Sequence, residues 1–130
     1  MDTRVAPSAT VFTNYSWQAA PKAGGFDISE LNLPPTHRFN AGTSIVHGRY
    51  TGSASVNVVS DAFWQDVLDA RLHGWTSAYT LINAGFAVKS PDGSMSVAVR
   101  GTNLFNERVQ QHVFGDVINR SVTGEVHFGF

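Results

Sequence analysis

Apolar and polar side chains alternate one by one along most of the chain. That is the period of a strand with one apolar face, because successive side chains of an extended backbone point to opposite sides. Candidate strands fall near residues 10–18, 37–47, 50–59, 78–89, 94–105 and 120–130. Helical periodicity surfaces only in WQDVLDARLH, inside the connection after the third strand. No internal repeat, low-complexity tract or long linker breaks the pattern, so the chain reads as one all-β, antiparallel unit of about six strands.

Each strand splits into two phases. The richer apolar phase collects Val11, Tyr15 and Trp17, then Phe39, Ala41 and Ile45, then Tyr50, Ala54, Val56 and Val58. It continues through Ile82, Ala84, Phe86 and Val88, then Met95, Val97 and Val99, and ends with Val122, Val126, Phe128 and Phe130. None of these is charged, whereas Arg38, Lys89, Arg100 and Glu125, together with His127, take the opposite phase. A membrane β-strand shows this division, apolar toward lipid and polar toward the lumen, since a Lys or Arg facing lipid at mid-depth costs about 2–4 kcal/mol.

The connections alternate in length, as they do in outer-membrane barrels with short periplasmic turns and longer extracellular loops. QAAPKAGGFDISELNLPPTH, DAFWQDVLDARLHGWTS and NERVQQHVFGDVIN are long, whereas GR at 48–49 and SPDG at 90–93 are short. Gly48 suits the first central position of a type II′ turn, which sets His47 against Tyr50, Ile45 against Gly52 and Phe39 against Val58. Pro91 and Gly93 suit a type I turn closing Lys89 against Ser94, which sets Val88 against Met95 and Phe86 against Val97. Both registers lay apolar phase on apolar phase, which a one-residue slip would destroy. Trp17, Phe39 and Phe105, with Tyr79 out of phase, gather near the long-loop end and Tyr50, Phe128 and Phe130 near the other, the placing of two interfacial aromatic girdles.

Composition agrees. Charged residues are 15% of the chain, against about 25% in an ordinary soluble domain, so much of the surface is expected not to face water. The net charge of -1, with both signs dispersed, offers no basic stripe for nucleic acid. Without cysteine there is neither a disulfide framework nor a thiolate metal site. No apolar run resembles a signal peptide or a transmembrane helix.

Candidate chemistry is sparse. On a helix Asp66, Asp69 and His73 could share a face and hold a metal, but a solvated loop is the favoured reading. His112 and Asp116 could form an acid/base pair, yet no nucleophile stands beside them. No catalytic residue, metal ligand or cofactor site is therefore expected, and the chain does not read as an enzyme. A symmetric last hairpin pairing Phe105 with Arg120 sets Arg100 opposite Glu125, as a lumenal salt bridge or a contact to a plug. The aromatics Phe63, Trp64 and Trp75 are candidate ligand contacts in a loop, or they pack the loops together.

The stretch GTNLFNERVQQHVFGDVINRSVTGEVHFGF, with NLFN at 103–106 and an aromatic terminus, resembles the C-terminal end of the TonB-dependent outer-membrane receptors. FTNYSWQ, PPTHRFNAG and FWQDVLDARLHGWTSAYTLINAGF are also similar to late barrel strands and loops of that family. The resemblance implies a transmembrane β-barrel of about 22 strands, of which residues 1–130 would be the C-terminal portion, with signal peptide and plug domain absent. It implies location in the bacterial outer membrane and TonB-energised uptake of a scarce nutrient such as a siderophore or metal complex. By the same resemblance Val126, Phe128 and Phe130 form the signal read by the barrel-assembly machinery. The implied partners are the remaining barrel, the plug, outer-membrane lipid and, through the missing N-terminal part, the TonB complex. A passive porin fragment and a soluble all-β binding module are the alternatives.

Overall fold

Val, Ile, Thr, Phe and Tyr at alternate positions favour extended backbone, and Gly and Pro fall at its bends. The computed structural model describes residues 2–22, 24–25, 31–66, 69 and 71–129, and among these it is all-β. The strands are β1 (Asp2–Ala6), β2 (Ala9–Trp17), β3 (His37–His47), β4 (Tyr50–Val59), β5 (Ala62–Gln65) and β6 (His73–Thr76). They continue with β7 (Tyr79–Lys89), β8 (Met95–Thr102), β9 (Val109–Gln110), β10 (Val117–Ile118) and β11 (Ser121–Phe128). Seven form one sheet in the order β1-β2-β3-β4-β7-β8-β11, with every neighbouring pair antiparallel. The sheet is open, with β1 and β11 at its edges. The hairpins β5–β6 and β9–β10 stand in two of the long connections. All the long connections lie at one end of the sheet and all the short turns at the other, because each sheet neighbour is also the next long strand in sequence.

The Gly48 turn is as expected. Gly48 adopts a positive φ of 56°, and His47 pairs with Tyr50, Ile45 with Gly52 and Phe39 with Val58.

Four features differ from the sequence reading. The strand β1 was not anticipated: it is short, pairs with β2 and carries an irregularity between Arg4 and Ala6 that blurs its alternation. The helical reading around Asp66, Asp69 and His73 is corrected, because Phe63 opposes Trp75 and Gln65 opposes His73 in a hairpin. Val67, Leu68 and Ala70 of that segment lie outside the described residues.

The β7–β8 register is two residues from the expected one, with Val88 opposite Val97 and Phe86 opposite Val99. Its cause is Asp92, whose carboxylate accepts from the Ser94 amide at 3.2 Å and hydroxyl at 2.8 Å, keeping Ser94 in the loop. The hairpin therefore closes at Ser90 and Met95, joined by Ser90 N–H to Met95 C=O at 2.8 Å. The turn bond from Gly93 N–H to Ser90 C=O, 3.1 Å, does form. A shift of two leaves every side chain on its expected face.

The β8–β11 register moves by two as well: Arg100 pairs with Thr123, and Glu125 with Ala98. Here β8 stops at Thr102, because Asn103 and Asn106 take the left-handed φ values of 50° and 53° and turn the chain out of the sheet. NLFN is thus a turn and not the end of a strand.

Little of the sheet is covered. The buried apolar residues among those described are Val59, Ala62 and Val109, joined by buried Thr76 and Asn103, all near the long-loop end.

Candidate functional site

The registers assemble the apolar phases of the seven strands into one continuous face. One row crosses the full width of the sheet through Thr3, Val11, Thr43, Ala54, Ala84, Gly101 and Val122. The next runs through Ile45, Gly52, Phe86, Val99 and Gly124. None of the described positions on this face of the sheet is Asp, Glu, Lys or Arg. Among the described residues the face is largely open, with Val122 65% exposed, Phe86 50% and Val99 47%, and Leu104 lies over Gly101 at its long-loop end. A water-facing sheet of this width would leave far more contiguous apolar surface than the few hundred Å² a soluble monomer tolerates.

Aromatic side chains bound the face at both ends. At the long-loop end Tyr15 stacks on His37 with ring centroids 6.1 Å apart, its hydroxyl 2.7 Å from His37 Nδ1, beside Trp17 and Phe39. Phe105 stands on the NLFN turn, 76% exposed. At the short-turn end Tyr50 stacks on Phe86 at 6.1 Å, under the Arg49 guanidinium at 5.3 Å, and Phe128 sits opposite Met95. Tyr79 lies on the other face, where its hydroxyl accepts from Gln111 Nε2 at 3.1 Å. Trp17 pairs with His37, whose carbonyl takes the Ser60 amide. From that level down to Tyr50 is about 33 Å of strand, which at the tilt of about 40° that membrane-barrel strands take would stand about 25 Å high.

The opposite face is polar and internally bonded. Asn40 Nδ2 donates to Asn14 Oδ1 at 2.8 Å, Asn57 Nδ2 donates to Asn40 Oδ1, and Asn83 Nδ2 donates to Ser55 Oγ at 3.3 Å. The Phe12 ring lies over Gly42, where an added Cβ would be 2.5 Å from the ring and 2.9 Å from the Ala54 carbonyl, so only glycine fits without displacement. Between Phe12 and Arg100 runs an open trough of 490 Å³ floored by Ser53, Ser55, Asn83 and Gly85. Arg100 and Glu125 do meet, diagonally across the strands and not directly opposed, with the guanidinium 3.9 Å from a carboxylate oxygen that His127 Nε2 approaches at 3.3 Å. All three side chains are well exposed, so the pair contributes about 0–1 kcal/mol.

The NLFN turn is the best-connected polar centre. Asn103 is 1% exposed. Its Nδ2 donates to the carbonyls of Glu107 (2.7 Å) and Ile118 (2.9 Å), and its Oδ1 accepts the Glu107 amide (2.9 Å). The Leu104 amide reaches the Ile82 carbonyl at 2.9 Å, Glu107 Oε2 accepts the Thr80 amide at 3.0 Å, and Asn106 Oδ1 accepts the Arg120 amide at 2.9 Å. This turn therefore ties β7, β8 and the last connection together.

In the loops, Phe63 meets Trp75 edge to face at 5.4 Å and His73 at 5.7 Å. Trp64 donates its indole N–H to Thr76 Oγ1 at 3.3 Å and packs on His112 at 4.9 Å, and His112 packs on Phe114 at 5.6 Å. Trp64 thus locks two loops together, whereas Trp75 stays 67% exposed. The His112 ring is held by these aromatics and by the Phe114 amide, 3.2 Å from its Nδ1. Asp69 is ion-paired with Arg71 at 2.8 Å, which lowers its pKa, and no set of three metal-ligating side chains occurs among the described residues.

Of the proposed insertion signal, Val126 and Phe128 lie on the apolar face of edge strand β11, 56% and 64% exposed, while Phe130 lies outside the described residues. Alternation could not reveal the asparagine row, the Phe12–Gly42 contact or the Asn103 clamp, since each depends on neighbours across strands. For the clamp, two asparagines in four residues were a usable turn signal, because asparagine tolerates left-handed backbone. Comparison with protein-family models, curated proteins and solved structures finds no match to the chain.

Proposed function

We propose that this chain is part of the wall of a bacterial outer-membrane β-barrel, the C-terminal portion of a receptor of the TonB-dependent kind that takes up a scarce nutrient. The observation that carries the reading is the apolar face, without Asp, Glu, Lys or Arg among the described residues, largely exposed across the seven strands and bounded by aromatics at both ends. Lipid satisfies that face. The polar face then looks into the lumen, with Arg100 and Glu125 within reach of a plug, and the long loops lie outside the cell.

The two edges support a larger closed structure, since each backbone group left unpaired in hydrocarbon costs several kcal/mol. Their directions add a rule. Antiparallel pairing through seven strands makes β1 and β11 run the same way, both toward the short turns. Copies of this sheet arranged around a barrel axis would meet in parallel and could not close an antiparallel barrel. An odd number of further strands, beginning and ending on opposite-running ones, closes it with the even total of bacterial single-chain barrels. On this reading Val126 and Phe128, with Phe130, serve the assembly machinery.

Fractionation and uptake test the proposal in the native organism. The protein should be found in the outer membrane, and uptake of its nutrient should stop when the proton-motive force is collapsed. Uptake that survives uncoupling would make the protein a passive pore. Recovery in the soluble fraction would make it a binding module.

A further inference from the structure

Beyond the strand ends, the loops form a half-open pocket of 370 Å³. Its walls are Leu33, Pro34, Ala62 and the rings of Phe63 and Trp75, and Asp61 is the charged side chain among the described residues lining it. The volume is that of a small-molecule site. We propose that this pocket binds a compact organic ammonium cation.

The chemistry of the wall selects the class. Phe63 and Trp75 meet edge to face, and Trp75, 67% exposed, leaves ring surface open to a ligand. An alkylated ammonium group is attracted to such faces while its methyl groups lie against Leu33 and Pro34. Asp61 is exposed and supplies the opposite charge. A sugar fits less well, because it would need several hydrogen-bond partners, and the polar side chains among the described residues lining the pocket are those of Thr36 and Asp61. An anion would face the Asp61 carboxylate. Arg108 borders a separate pocket that shares Trp75, so the ammonium group is placed on the Asp61 and Phe63 side of that ring.

The inference deepens the receptor reading by naming a ligand class for the loops, and its test separates the two. The protein carrying this chain is labelled with 5-fluorotryptophan and studied in detergent if it partitions there and in buffer if it does not, so failure of the membrane reading leaves the binding result readable. Trp75→Phe assigns the fluorine signal. Choline is the probe, and 3,3-dimethylbutan-1-ol is its uncharged counterpart. Saturable movement of the Trp75 signal by choline is expected, with the alcohol and the Asp61→Asn variant each about tenfold weaker. Phe63→Leu, which keeps the volume apolar, should also weaken choline. An unmoved Trp75 signal, equal binding of the alcohol, or undiminished binding by Asp61→Asn would each overturn the proposal.

Discussion

Asn103 supports the last third of the molecule through one amide side chain, so its replacement should cost more than an ordinary polar substitution. Asn103→Ala removes three hydrogen bonds and leaves the Glu107 and Ile118 backbone groups without it in a buried place. A loss of about 2–3 kcal/mol is expected, from orphaned polar groups and from alanine at a φ of 50°. Asn103→Gly loses the same bonds without that strain and should be milder by about 1 kcal/mol. Urea unfolding of the two variants checks the order, and equal losses would mean that the backbone conformation is not being enforced. Asp92 is the other residue with a measurable signature. Its carboxylate accepts first from Ser90 and then from Ser94, which holds its pKa at about 2. A depressed folded pKa makes the ionised form the stabilising one. The contribution is therefore complete above the ordinary carboxylate range near 3.8 and is lost as the pH falls through about 2. Between those values the protein should lose stability more steeply than Asp92→Asn, and parallel curves would remove Asp92 from the account. This network was hidden in the sequence, because Pro91 and Gly93 announce a turn while the carboxylate that sets where the hairpin closes is one polar residue among several.

At the scale of elements, alternation was enough to place the main strands and to assign nearly every side chain to a face, because a period of two is local to each strand. Register was legible only where a two-residue turn left no freedom, as at Gly48. In both later hairpins the register moved by two, driven by loop side chains whose bonds no local pattern encodes. β1 was too short and irregular to be seen, and the β5–β6 hairpin sat within a segment with helical spacing. Of the candidate sites, the Arg100–Glu125 contact was found through a wrong register, since long side chains reach a diagonal neighbour. Phe63 and Trp75 were identified individually and Asp61 stands in the same connection, but their partners Leu33 and Pro34 come from another one, which no local pattern brings together. The β8–β11 register has a direct test, since the chain has no cysteine of its own. Cysteines at Ala98 and Glu125, which face each other, should cross-link readily under mild oxidation, and cysteines at Arg100 and Glu125 poorly. The reverse order would restore the symmetric hairpin.

For the whole molecule, the proposed arrangement has the apolar face meeting lipid and the other face meeting water. Three arrangements would satisfy an apolar face of this extent: a second protein layer, a partner or a bilayer. The roughly 33 Å of strand between the aromatic ends would stand about 25 Å high at the tilt of membrane-barrel strands, which accords with the bilayer. The even division of long and short connections between the two ends accords with it. Strand β4 offers the cleanest place to look, because it lies inside the sheet and is paired on both sides. Nitroxide labels are introduced singly from Gly52 to Asn57 in the protein reconstituted in liposomes, and collision with oxygen is compared with collision with a water-soluble nickel chelate. Oxygen-dominated exposure is expected at Gly52, Ala54 and Val56, alternating with chelate-dominated exposure at Ser53, Ser55 and Asn57. Labels at 52, 54 and 56 that are shielded from both reagents, or that meet the chelate as freely as their neighbours, would contradict it.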